Sequence, residues 1–166
     1  MTTVHTFKCV IAGYRGVGKT TLLRYFGRFT EEYDTTLNGT IVPITFNTTI
    51  GKVHFNMFDV MMQETFDTTY DYYKRVDCAI IMFDVTDKST YNTVNTLYRI
   101  IKSKRDNIPI VIIGNKCDIA EHNAPATEFE FSDAYFSISS KTGHNCEKPF
   151  ITLIRKLMHD DSIDVI

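Results

Sequence analysis

Phe7-Lys8-Cys9-Val10-Ile11-Ala12 runs directly into Gly13-Tyr14-Arg15-Gly16-Val17-Gly18-Lys19-Thr20. The apolar run predicts a buried strand, and Lys19 to Phe26, stopped by Gly27, predicts a helix. Between them the chain fits G-x-x-x-x-G-K-[ST] at every fixed position. Glycines let backbone N–H groups curl around phosphates, and the following helix adds the positive end of its dipole. In such a loop Lys19 reaches the β- and γ-phosphates, and the Thr20 hydroxyl ligates Mg²⁺. The rival reading is a glycine-rich turn without a ligand. The motif alone chooses neither between ATP and GTP nor between hydrolase and kinase.

Two further apolar runs, 78–83 and 108–113, resemble the first. All three are rich in Val, Ile or Phe without clear alternation, as expected for strands of a parallel sheet buried on both faces. Val94, Leu97, Tyr98 and Ile101 recur at helical spacing, with Ser89 as the expected N-cap. Phe150, Ile154, Leu157 and Met158 repeat that pattern, with Pro149 suited to a first helical turn. Segments 41–47 and 52–59 alternate instead, through Val42, Ile44, Phe46 and Val53, Phe55, Met57. Gly51 offers the turn of a hairpin, and Pro43 places its first strand at an edge. The expected fold is α/β, a mostly parallel sheet with one antiparallel edge strand and helices on both faces.

A chain of 166 residues with 43% apolar and 23% charged content fits one soluble domain, 1–166, without repeats or linkers. Its formal net charge of −2 argues against a general nucleic-acid binder or a polybasic membrane binder. Cys9, Cys78, Cys117 and Cys146 are scattered without a C-x-x-C pair and read as reduced thiols. The first residues lack the pattern of a signal peptide, and no apolar run approaches the ~18 residues of a membrane span. The final residues carry no cysteine for prenylation, so no membrane anchor is expected.

Asn115-Lys116-Cys117-Asp118 follows the third buried strand, at the carboxyl edge where ligands of such folds bind. The Asp118 carboxylate can accept hydrogen bonds from guanine's N1–H and exocyclic amine. Adenine lacks that donor pair, and sites built on such bonds reject the wrong ligand by ~10⁴ or more. Standing alone, this tetrapeptide would read as an ordinary loop. Behind the phosphate loop it points to guanine.

The phosphate loop, Asn-Lys-x-Asp, an intervening Asp59-x-x-x-Gln63 and a late Ser139-Ser140-Lys141 occur in the order of the Ras superfamily. The chain resembles its Ran branch at 78–86, at Asn107-Ile-Pro-Ile-Val111 and at Glu147-Lys-Pro-Phe150. That resemblance implies a six-stranded P-loop NTPase fold and a monomeric GTP/GDP switch with GTPase activity and Mg²⁺. It also implies transport receptors, an exchange factor and a GTPase activator as partners, in nucleus and cytoplasm.

Residue by residue, the resemblance places Gly13, Arg15, Gly16, Val17, Gly18, Lys19, Thr20 and Thr21 around the phosphates. Phe29 would stack on the base, although core packing is open to it, and Lys116 would lie along the other face. Ser139-Ser140-Lys141 looks like the family's Ser-Ala-Lys, which supports the base through a backbone amide that Ser140 keeps. Thr36, three residues after Tyr33, matches the residue whose hydroxyl meets Mg²⁺ in the triphosphate state. Asp59 resembles the aspartate that holds Mg²⁺ through water, and Gln63 the residue that positions the attacking water.

The chain also departs from the family. Where relatives read Asp-Thr-Ala-Gly-Gln, it reads Asp59-Val60-Met61-Met62-Gln63. Met62 can donate the glycine's N–H to the γ-phosphate but lacks its conformational freedom. Arg15 replaces a glycine, where a side chain crowds the catalytic glutamine and any activator's arginine; pointing to solvent or phosphates, it would change little. An arginine finger is worth ~10³–10⁵ in rate, a magnitude the Ras example itself supplies. Ran's basic cluster is replaced by Glu128-Phe-Glu-Phe-Ser-Asp133, and its acidic tail is not found. Two functions follow: a switch with slow hydrolysis, or a GTP-holding mimic that occupies transport receptors.

Overall fold

The computed structural model describes residues 3–27, 35–36, 39–61, 75–119 and 134–166, with backbone alone for 35–36, 39–40 and 60–61. Seven strands form one sheet in the order β2-β3-β4-β1-β5-β6-β7. They are β1 (Val4–Gly13), β2 (Thr35–Thr36), β3 (Gly39–Thr48), β4 (Gly51–Met61), β5 (Cys78–Asp84), β6 (Ile110–Asn115) and β7 (Ala134–Ser137). The helices are α1 (Lys19–Phe26), α2 (Lys88–Tyr91), α3 (Thr93–Lys104) and α4 (Lys148–Met158). Strands β4, β1, β5, β6 and β7 run parallel, while β3 is antiparallel to β4. The mostly parallel sheet, its antiparallel strand and its helices are those of the expected α/β fold.

Both faces of β5, β6 and the second half of β1 are buried, which explains their apolar runs. Along β1, Cys9 and Ile11 pack with Leu22 and Leu23 of α1 and with Phe150, Leu153 and Ile154 of α4. Val10 and Ala12 face the other way, toward Val94, Leu97 and Ile101 of α3. Helices therefore cover both faces. Phe26 at the end of α1 meets Phe150 of α4 edge-on, with ring centroids 5.0 Å apart.

Four details differ from the sequence reading. The sheet has a seventh strand, the two-residue β2, which pairs with Gly39 and Thr40 beyond β3. Pro43 lies past that pairing and is exposed, so its missing N–H interrupts no ladder on that side among the described residues. Strand β6 starts at Ile110 and not at Ile108, although the Pro109 carbonyl still accepts from Ala79 N–H at 3.0 Å. The helix after β5 is capped by Asp87 and not by Ser89, because the aspartate reaches the Ser89 N–H at 2.9 Å. It makes one turn as α2, then continues through Asn92 into α3.

Beyond these, Gly27 closes α1 by donating to Leu23 O at 2.8 Å, Pro149 sits in the first turn of α4, and Thr49 and Ile50 form the hairpin turn before Gly51.

Candidate functional site

Strands β1, β5 and β6 end together at the carboxyl edge of the sheet, with Ala12 and Gly13 beside Ile81 and Met82, and Asp84 beside Asn115. The loop leaving β1 turns into α1 through Gly18, whose φ of +103° is left-handed. A Cβ there would run into the Asn115 amide nitrogen, and one on Gly13 into the Met82 carbonyl. The loop is thus pressed against the neighbouring strands, a cradle that side chains would fill. No side chain caps the N-terminus of α1, so its N–H groups face the loop.

Lys19 opens α1 and is 6% exposed. Its ammonium donates to the carbonyls of Gly13 at 2.9 Å and Tyr14 at 3.2 Å, which folds the cation back over the loop. Val17 is buried, while Arg15, Thr20 and Thr21 are exposed and Gly16, with φ +83°, has open space around it. The Thr20 hydroxyl points to Asp59 Oδ2 at 3.5 Å. A hydroxyl and a carboxylate beside an uncapped helix end are hard oxygen donors of the kind Mg²⁺ prefers. Loop amides, a lysine and this pair suit a polyphosphate carrying a divalent cation.

The second half of the site follows β6. Asn115 is 3% exposed and ties three segments together. Its Nδ2 donates to Val17 O at 2.9 Å, and its Oδ1 accepts from Ser140 N–H at 2.9 Å and Ser140 Oγ at 2.8 Å. The exposed Asp118 accepts from Ser139 Oγ at 2.7 Å, and the same Oγ accepts from Thr142 N–H at 3.2 Å. Lys141 is exposed at the head of this turn. Tyr25 of α1 lies against Gly143 and supports the turn from the side.

Lys116 is one of four non-glycine residues with positive φ among the described residues, at +68°. Its Nζ lies 2.6 Å from Asp84 Oδ2. The other oxygen of Asp84 accepts from Thr86 N–H at 2.9 Å and Thr86 Oγ1 at 2.6 Å. Burial pushes the Asp84 carboxyl up, but the bonds from Lys116 and Thr86 outweigh it and hold the group below the usual carboxylate range. Asp84 and Thr86 were not singled out from the sequence. The available signal was an Asp-x-Thr turn straight after a buried strand.

The structure therefore gathers Gly13, Gly16, Gly18, Lys19, Thr20, Asp59, Asn115, Lys116, Asp118, Ser139 and Ser140 along one edge. Phe29, Tyr33, Met62, Gln63 and segment 128–133 lie outside the described residues. Thr36 is placed by its backbone in β2, opposite Gly39. No helix among the described residues is long and apolar enough to cross a membrane. Compared with known protein families, residues 8–159 match the Ras family.

Proposed function

The chain belongs to the Ras family of small GTPases, and on that premise we propose that it is a GTP/GDP switch of the Ran type with slow GTP hydrolysis. The observation that carries this reading is the bond from Asn115 Nδ2 to Val17 O. It fastens the segment that would read guanine to the loop that would hold phosphates, so one ligand spans both. Asp118 accepts from the guanine edge, with Ser139 fixing the carboxylate, and Lys116 lies along the base opposite Phe29. Lys19 turns from the loop carbonyls toward the β- and γ-phosphates.

Thr20 and Thr36 would hold Mg²⁺ directly and Asp59 through water; the ion would neutralise phosphate charge. Gln63 positions the attacking water, Met62 supplies an N–H to the γ-phosphate, and Tyr33 is among the nucleotide contacts. The Ran assignment is supported by the wording of 78–86, 107–111 and 147–150. It brings Ran-type transport receptors, an exchange factor and an activator as partners, and a place in nucleus and cytoplasm. The chain is read as one such domain, acting as a monomer.

Nucleotide identification in the purified protein, with displacement by GTP and ATP, tests the reading. GDP or GTP should be found, ATP should compete poorly, and Asp118→Asn should shift preference toward xanthine nucleotides. Equal competition by ATP would overturn the guanine assignment.

Exposed Arg15 favours a second reading, a GTP-holding mimic that occupies transport receptors and hydrolyses little. Single-turnover hydrolysis with and without a Ran activator separates the two. Strong stimulation supports the switch, and none supports the mimic.

A further inference from the structure

The end of β5 holds a carboxylate whose two oxygens do different work. Asp84 is paired in register with Asn115, so it sits beside the residue that begins the Asn-Lys-x-Asp loop. Its backbone is fixed from both sides, by Thr90 Oγ1 accepting its N–H at 2.9 Å and by Val85 N–H donating to Asn115 O at 3.0 Å. One carboxylate oxygen closes the turn with Thr86; the other holds the Lys116 ammonium at 2.6 Å. The Asp84 side chain is 9% exposed, but the Lys116 side chain is 34% exposed. The charged tip of the lysine is thus held by a nearly buried partner, while about a third of the lysine side chain remains exposed. The positive φ of Lys116 points the same way, since a non-glycine residue keeps that backbone only where its surroundings impose it.

We infer that Asp84 is a positioning residue for the nucleotide base: by anchoring the Lys116 ammonium, it lays the lysine stem out as a flat apolar wall for one face of guanine. The inference rests on the proposed reading of 115–118 as the base-binding loop. An unanchored lysine spreads over many rotamers, and ordering it at the moment of binding opposes affinity. Anchored, its methylenes are ready to pack. Asp84 touches the base only through Lys116, and its contribution is therefore conditional on that lysine.

The test is the release rate of ribose-labelled fluorescent GDP from the parent, Asp84→Asn, Lys116→Met and the double variant, repeated with the inosine analogue. Asparagine keeps an oxygen for Thr86 but loses the anion, so the turn survives and only the anchor is cut. Asp84→Asn should release GDP about tenfold faster, equivalent to roughly 1.4 kcal/mol. The inosine analogue should be accelerated by the same factor, because the stem meets the ring face and not its edge. In the Lys116→Met background, Asp84→Asn should change release by less than about twofold, as a shared pathway requires.

Parental release from Asp84→Asn overturns the inference, as does equal acceleration in both lysine backgrounds, which would make the role one of turn structure. Acceleration of GDP but not of the inosine analogue overturns it too. A parent that binds ATP in preference to GDP overturns the base-site reading itself, a result separable from the others because it appears before any variant is made.

Discussion

Asn115→Ala is the sharpest test of how the site is held together. The asparagine is 3% exposed and makes three hydrogen bonds, one to Val17 O and two from Ser140. Truncation leaves the Val17 carbonyl and the Ser140 N–H without those partners, on residues 0% and 4% exposed. The Ser140 hydroxyl can rotate to another acceptor, whereas the two backbone groups are fixed. Each fixed group stranded in the interior costs about 1–3 kcal/mol, so the two together cost about 2–6 kcal/mol before any lost packing, a large part of the ~5–15 kcal/mol that holds a domain. Ser140→Ala gives the internal comparison. It removes only the hydroxyl bond, keeps the N–H bond, and should cost about 1 kcal/mol or less. Urea midpoints of nucleotide-free protein measure both, provided the slope is unchanged. Guanine affinity should fall alongside stability in Asn115→Ala, since the loop carrying Asp118 loses its tie to the phosphate loop. If Asn115→Ala costs less than about 1 kcal/mol, or no more than Ser140→Ala, Asn115 is not the tie described here.

Lys19→Ala should leave the apo fold intact and weaken GTP binding by at least ~100-fold, roughly 3 kcal/mol, on loss of charge-assisted bonds to phosphate; parental affinity in a titration would refute it. Changing Arg15 and Met62 together to glycine should raise the response to a Ran activator above the parent's, read as phosphate release. A lower intrinsic rate in Arg15→Gly alone would show instead that this arginine serves as a built-in finger. The Asp84 carboxyl sits below its ordinary 3.8, so it stabilises the fold above that value and the benefit is lost as pH falls through the lower folded value. The stability gap between parent and Asp84→Asn should therefore be widest at about pH 5 or above and narrow toward about pH 2, and a constant gap in urea midpoints would contradict this. Burial pushes the Cys146 thiol up to about 11, so it should resist alkylation in the folded protein at neutral pH and react only on unfolding, as mass spectrometry would show.

The sheet was legible because burial on both faces writes itself into sequence as unbroken apolar runs, and β5, most of β6 and the second half of β1 are such runs. The alternating hairpin was equally plain. Strand β7 was not singled out because its four residues are all half-buried, a pattern with neither periodicity nor a solid apolar block. Strand β2 spans two residues, too few for any period to appear. In the site, the motifs marked Lys19, Thr20, Asn115 and Asp118, but not their mutual bonds. Asp84 meets Lys116 only because the register sets Asp84 beside Asn115. The Ser139 hydroxyl on Asp118 likewise depends on where two loops cross, whereas the family resemblance implies only a backbone role for that stretch. Local pattern reports burial and helicity; polar contacts between distant segments follow from register.

The position of β1 bears on the order in which the protein can assemble. It is synthesised before its neighbours yet occupies the middle of the sheet, held by β4 on one side and β5 on the other. While the chain emerges from the ribosome, the glycine loop has no walls: the Met82 carbonyl that crowds Gly13 and the Asn115 amide that crowds Gly18 have yet to be made. Such distant pairings must pay for closing long loops before any contact rewards them, which slows folding and leaves apolar strands uncovered meanwhile. The nascent protein therefore completes its nucleotide pocket late, since a partly made chain lacks the walls that Met82 and Asn115 give the glycine loop.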